Sequence, residues 1–219
     1  MRPLVLFDYD GVLVDSLDYF LDSFLDSCQA HGCHQVSSRG DFLALFDTNF
    51  YDGMAKAGLN GKMRDDVFKG MAKRLAGKSS RYTFFPGIPE ALRNLAAFAD
   101  IFIVSSNDSA VVQGFLDEHG LTVYKDVLGG DKDTSKVRKI QSVARLHPGA
   151  PVVYVGDTTG DMTEAREGGA VSVGAAWGWH GAERLQTANP DHLLMKPADL
   201  PACIASISQL PSLIQPFTN

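Results

Sequence analysis

Three observations predict an α/β fold, a doubly wound parallel sheet with an inserted helical cap. Short apolar runs recur at residues 4–7, 101–104 and 152–155, with the length and composition of strands buried on both faces, and Ala170 to Val173 reads as another strand. Segments with helical apolar spacing separate the later runs, and that alternation builds parallel βαβ units. From Leu17 to about Thr83 the alternation stops and the pattern is helical throughout. A cap over 17–84, inserted into a core of 1–16 and 85–219, is the expected organisation.

The first run stops at Asp8-Tyr9-Asp10-Gly11, as a buried strand ending in a tight turn would. Leu17, Phe20, Leu21, Phe24, Leu25 and Cys28 then form one apolar helical stripe. Asp15 and Ser16 can cap its start, and Gly32 can end it in the left-handed conformation. Phe42, Leu45 and Phe46 mark a second helix, and Val67, Met71, Ala72 and Leu75 another, with Gly53, Gly58, Gly61 and Gly77 as punctuation. At Phe84 to Glu90 the character changes, and Pro89 fits the first turn of a helix through Leu92, Leu95 and Ala96. A strand at 101–104 precedes a helix at 111–119 closed by Gly120, and 124–128 reads as a weaker strand. Ser135 can cap a helix through Val137, Ile140 and Ala144, followed by the strands at 152–155 and 170–173.

At 219 residues the chain can bury a substantial core. Its 45% hydrophobic and 21% charged content is that of a soluble globular protein. A net charge of −6 gives no general attraction to nucleic acid or anionic membranes, and no apolar run approaches membrane-spanning length. Three cysteines make no disulfide framework, and the start shows no cleavable signal, so a reducing cytoplasm is the expected compartment; monomer is taken by default. Residues 17–84 carry nine Lys/Arg against eight Asp/Glu, which places the acidity in the core. In the cap Lys62, Arg64, Lys69, Lys73, Arg74, Lys78 and Arg81 outnumber Asp65 and Asp66. A solvated helix face explains this, and a surface attracting an anionic substrate is the alternative.

Three strand ends carry complementary polar groups: Asp8 and Asp10; Ser105-Ser106-Asn107-Asp108; and Gly156-Asp157-Thr158-Thr159-Gly160-Asp161. In a parallel sheet these ends converge on one edge. Lys136 stands at a helix start, where the backbone dipole also favours anions. Such a set suits phosphoryl transfer. Asp8 and Asp157 can hold a hard cation such as Mg²⁺, while Lys136 and Ser105 neutralise the transferring oxygens.

These residues, in this order, resemble the four motifs of the haloacid dehalogenase-like hydrolase superfamily, in the subfamily with a small helical cap. The resemblance covers roughly residues 1–16 and 85–200 and implies a Rossmann-like core. It implies Asp8 as nucleophile and Asp10 as general acid/base whose backbone carbonyl also binds Mg²⁺. Asp157 would be a further metal ligand, Ser105 and Lys136 would hold the phosphoryl group with Ser106 beside them, and Asp161 would support the metal waters or Lys136. Phe85 to Leu92, Trp177 to Gly181 and Pro190-Asp191-His192 are similar to the phosphoglycolate phosphatase-like branch. The resemblance therefore implies a Mg²⁺-dependent phosphatase of a small phosphate ester, phosphoglycolate first among them, working through an aspartyl-phosphate. Alternatives are a sugar phosphomutase and a non-catalytic Mg²⁺- or phosphate-binding module. Many relatives have proline after the lysine, whereas Val137 follows here, so Lys132 competes with Lys136; the helix start favours Lys136.

Plainer roles stand beside these. Asp15 can be a helix cap, Ser105 a strand end and Asp161 an N-cap. Cys28, His31, Cys33 and His34 form a dense cluster without paired zinc-ligand spacing. Trp177 and Trp179, near the site edge, read as packing with ligand stacking as the alternative, His180 as a surface loop histidine that could reach substrate, and Tyr9 as a strand-end aromatic between Asp8 and Asp10.

Overall fold

A computed structural model describes residues 1–75 and 83–209. Gly77, Lys78 and Arg81 lie outside those residues. Six parallel strands form the central sheet: β1 (Leu4–Phe7), β4 (Asp100–Val104), β5 (Asp126–Leu128), β6 (Val152–Gly156), β7 (Val171–Ala175) and β8 (His192–Leu194). Their spatial order is β5-β4-β1-β6-β7-β8. From β1 the chain builds outward through β4 and β5, then crosses back to β6 and builds the other way. The order reverses beside β1, the position where open α/β sheets bind ligands.

Period-2 alternation explains the layers. Val5, Phe7, Ile101, Ile103, Val153 and Val155 pack on one side with α5 (Ile88–Ala96), α6 (Ser109–Glu118) and α10 (Leu200–Gln209). Leu4, Leu6, Phe102, Val104, Val152 and Tyr154 face the other side, against α7 (Lys136–Leu146) and α8 (Thr159–Glu167). With both faces covered, β1 has no room for a polar residue until the strand ends. A short helix, α9 (Gly181–Thr187), joins β7 to β8.

Residues 17–75 hold α1 (Leu17–Ala30), α2 (Arg39–Ala44), α3 (Phe50–Lys56) and α4 (Gly61–Leu75). The α1 stripe contributes Leu17, Leu21, Phe24 and Cys28 to a separate apolar cluster with Phe42, Met54 and Val67, and the cluster takes in Trp179 from the sheet side. Gly32 adopts φ +71° just past α1, as a C-terminal glycine should. Two expectations fail here. Ser16 occupies the N-cap position of α1 without a side-chain cap bond, because its hydroxyl donates to Asp10 instead. Asp15 belongs to β2 (Val14–Asp15) and is no helix cap; β2 pairs antiparallel with β3 (Thr83–Phe84), which lies at the end of the stretch read as helical. This two-residue ladder ties the chain just before α1 to the chain just before α5; elements so short leave no periodicity to read. No helix among the described residues is long and apolar enough to cross a membrane.

Candidate active site

Strand register brings the polar residues together. Phe7 pairs with Ile103 on one side and Val155 on the other. Asp8 therefore follows one residue past that level, and Ser105 and Asp157 two residues past it. After β1 the chain turns sharply: Leu13 and Val14 N–H groups both donate to Tyr9 O, and Gly11 takes φ +81°. A Cβ on Gly11 would run into the Asp157 carboxylate and Trp179, so glycine is needed for both its conformation and its bulk.

Lys136 holds the centre. Its Nζ donates to Asp8 Oδ2 at 2.6 Å and to Asp161 Oδ1 at 2.6 Å, and all three side chains are buried. Burial alone would discharge Lys136, but the charges of Asp161 and Asp8 outweigh it and hold the ammonium charged well above its ordinary range. Burial likewise opposes ionisation of Asp161, yet Lys136 and the Thr158 hydrogen bonds bring it below the usual carboxylate range. Asp161 Oδ2 accepts from Thr158 Oγ1 at 2.7 Å, completing a capping box at the start of α8. Thr158, not Asp161, is thus the N-cap; Asp161 sits at the third helical position, which aims its other oxygen at Lys136. The competing Lys132 lies outside the site, donating to Val127 O and Asp126.

Asp8 accepts from Tyr9 N at 2.8 Å, and burial raises its carboxyl to about 6 despite Lys136. Asp10 is raised to about 7, again by burial, and Ser16 Oγ fixes one of its oxygens at 2.8 Å. Asp157 is held well above the carboxylate range by burial and then by the charges of Asp161 and Asp8. Its Oδ2 accepts from Trp179 N at 2.7 Å, while its Oδ1 is buried without a hydrogen-bond partner among the described residues. Oxygen atoms of Asp8, Asp157 and Asp161 lie within 4.8 Å of one another. An orphaned carboxylate oxygen inside an all-oxygen donor set fits a hard divalent cation.

Ser105 is buried, and its Oγ accepts from Asn107 N at 2.9 Å, which leaves its hydroxyl proton to donate. Ser106 and Asn107 line the cavity over the site. Beneath them Lys139 donates to Ser105 O at 2.6 Å, its ammonium pushed down to about 8 by burial and by Lys136.

Glu164, Asn49, Asp47 and Arg184 were not singled out from the sequence. Glu164 lines the cavity, accepts from Asn49 Nδ2 at 2.7 Å and is raised to about 7 by burial. Its spacing from Asp161, three residues along the same helix, was the available signal. His180 is not a surface histidine. It is buried, its Nδ1 taking the Thr159 N–H and its Nε2 donating to Leu43 O, so these partners assign the Nε2-protonated tautomer. Arg184 adds an ion pair to Asp47 at 2.7 Å, and Gly160 N donates to Phe46 O. Residues 43–49 are thereby docked on the start of α8. Trp177 donates its Nε1 to Val12 O, a packing role with one hydrogen bond.

The zinc-like cluster does not assemble. Burial, then Cys33, pushes the Cys28 thiol up to about 12, His31 Nδ1 bonds Ser27 O and His34 is exposed. The basic residues of α4 form a solvated face, with Lys62 paired to Asp66, Arg64 to Asp65 and Arg74 to Asp26.

The family model for haloacid dehalogenase-like hydrolases matches residues 5–175. A phosphoglycolate phosphatase of Synechococcus elongatus is 31% identical over 94% of this chain and 97% of its own length. The probable phosphatase IndB of Dickeya dadantii is 27% identical over 87% of this chain and 88% of its own. Among solved structures, a predicted phosphatase from Clostridium acetobutylicum superimposes with a TM-score of 0.80 at 17% identity, covering 94% and 99% of the two chains. With the sheet order and strand-end residues described above, these matches show that the chain belongs to the haloacid dehalogenase-like hydrolase family.

Proposed function

We propose that the chain is a phosphatase that hydrolyses a small phosphate monoester through a phospho-aspartate on Asp8. One observation carries the reading: a single ammonium, Lys136, lies between Asp8 and Asp161, and oxygen atoms of these two and of Asp157 fall within 4.8 Å of one another. Asp8 would attack phosphorus, forming a carboxyl–phosphate bond as the ester P–O bond breaks. Asp10 would give its proton to the leaving alkoxide; with its carboxyl raised to about 7, the protonated form is populated near neutrality. Water then attacks the phosphorus, Asp10 takes the water's proton, and inorganic phosphate leaves with Asp8 restored. Lys136, Ser105 and Ser106 would bind the phosphoryl oxygens, and Asp161 would keep Lys136 charged and in place. Asp8, Asp157 and the backbone carbonyl of Asp10 would hold Mg²⁺, which supplies positive charge to the transferring group. Under this reading 17–84 acts as a cap that closes the site to bulk water.

The test is phosphate release over a panel of phosphate monoesters, with Mg²⁺ and with a chelator, beside Asp8→Asn. Release should require the metal, and Asp8→Asn should lower kcat by on the order of 10⁴-fold. Full activity in Asp8→Asn would sink the proposed nucleophile.

A further inference from the structure

Over the acidic strand ends lies a cavity of about 660 Å³, and its upper wall is mostly apolar, with Thr48, Asn49 and Tyr51 as its polar members. Phe46, Phe50, Phe68, Met71 and Leu75 come from α3, α4 and the segment before them, and Val111 from α6. Phe46 and Phe50 are stacked at 4.6 Å with their planes 6° apart, and Phe50 contacts Phe68 at 6.0 Å. Among the described residues the only cation lining this cavity is Lys136, already committed to Asp8 and Asp161. Every other charged side chain on the lining, among the described residues, is acidic, Asp108 and Glu164 included. The lysines of α4 do not reach it: Lys62, Lys69 and Lys73 are exposed and absent from its lining.

A phosphate ester whose organic part bears a carboxylate would meet an aromatic wall and an acidic floor here. No described cation on the lining remains to compensate for the water its carboxylate would lose, and Arg64, whose charge reaches the lining Tyr51, is paired with Asp65. An uncharged apolar group would gain by the same contact. Building on the phosphatase reading, we propose that the site selects phosphate monoesters of uncharged apolar or aromatic alcohols over carboxylate-bearing esters such as phosphoglycolate. The floor grips the phosphoryl group and the aromatic wall reads the alcohol.

The experiment compares benzyl phosphate with phosphoglycolate under Mg²⁺. Both are esters of primary alcohols, so their leaving groups are of one kind. The expected kcat/KM for benzyl phosphate is roughly tenfold or more the higher, expressed mainly in KM. Met71→Lys, which puts an ammonium on the apolar wall, should lower that value and raise the value for phosphoglycolate; Lys73→Met on the solvated face should change neither. Equilibrium binding of the non-hydrolysable benzylphosphonate and phosphonoacetate separates selection from chemistry. Tighter benzylphosphonate binding without any turnover upholds the selectivity and overturns the phosphatase reading. Phosphoglycolate turnover equal to or above that of benzyl phosphate, or tighter phosphonoacetate binding, overturns the selectivity and leaves the phosphatase reading standing.

Discussion

The floor and the upper wall of the cavity obey opposite rules. The floor is built from ionisable groups that burial would normally exclude, each held in place by a specific partner: Lys136 between Asp8 and Asp161, Trp179 N on Asp157, Ser16 on Asp10. The upper wall contains stacked and tilted rings whose attraction needs no such bookkeeping. Partnered charges demand fixed geometry, so the floor stands on strand ends in a sheet buried on both faces. Apolar contact is non-directional, so the wall can be carried by short helices joined by loops. On the proposed reading, the chemistry would sit on strand ends of the buried sheet and selection among organic groups on the helices above it.

The largest way to break this contrast is to remove the charge that holds the floor. Lys136→Met leaves Asp8 and Asp161 buried without their cation, a loss of about 3–5 kcal/mol. For a chain of this size that corresponds to a fall of roughly 6–20 °C in melting temperature. Lys132→Met, at a part-exposed lysine outside the site, should stay within about 0.5 kcal/mol of the parent. Thermal melts of the two variants side by side decide it, and equal melting temperatures would mean that Lys136 does not hold the floor together.

Proton linkage sharpens the contrast at the next scale. The Asp8 carboxyl is raised from 3.8 to about 6, Asp10 from 3.8 to about 7 and Glu164 from 4.5 to about 7, in each case chiefly by burial. The metal-free folded state therefore holds more protons than the unfolded chain across that window. The stabilisation is complete below the unfolded values near 4 and is lost as pH rises through about 6 to 7. Melts in a chelator should fall between about pH 5 and pH 7.5, less steeply in Asp10→Asn. Added Mg²⁺ should raise the melting temperature more at the higher pH, where protons no longer compete for the carboxylates. An equally steep fall in Asp10→Asn would show that Asp10 does not titrate as its burial requires.

The two regions also differed in how far the sequence disclosed them. The floor was legible because strand ends announce themselves: an apolar run halting at Asp8, another at Ser105, a third at Asp157. The family match now supports the α/β fold and the hydrolase relationship. Helical spacing in 17–75 disclosed which residues are apolar, but not which of Phe46, Phe50 or Met71 face a cavity rather than a core. That depends on how α3 and α4 lie across the sheet edge, which no local pattern encodes. His180 and Asn49 escaped for the same reason, since their partners Leu43 and Glu164 are distant in sequence. The Thr158 cap was missed more narrowly: Asp161 had the residue type for an N-cap and lay only three positions from the real one.

Trp179 belongs to both regions and gives the finest test. Its backbone N–H serves the floor through Asp157, while its ring packs against Phe46 edge-on at 4.9 Å and against Phe42 at 5.8 Å. The indole Nε1 is buried without a partner among the described residues. Trp179→Phe therefore removes an unsatisfied donor and keeps the main-chain bond, and those gains offset part of the small void it leaves. Trp177→Phe, by contrast, takes a hydrogen bond from Val12 O. The net cost of Trp179→Phe should be no more than about 1 kcal/mol, with Trp177→Phe costing about 1–3 kcal/mol. Denaturant unfolding of the two variants measures the order directly. A larger loss at Trp179 would mean that its indole N–H, and not only its ring and main chain, holds the two regions together.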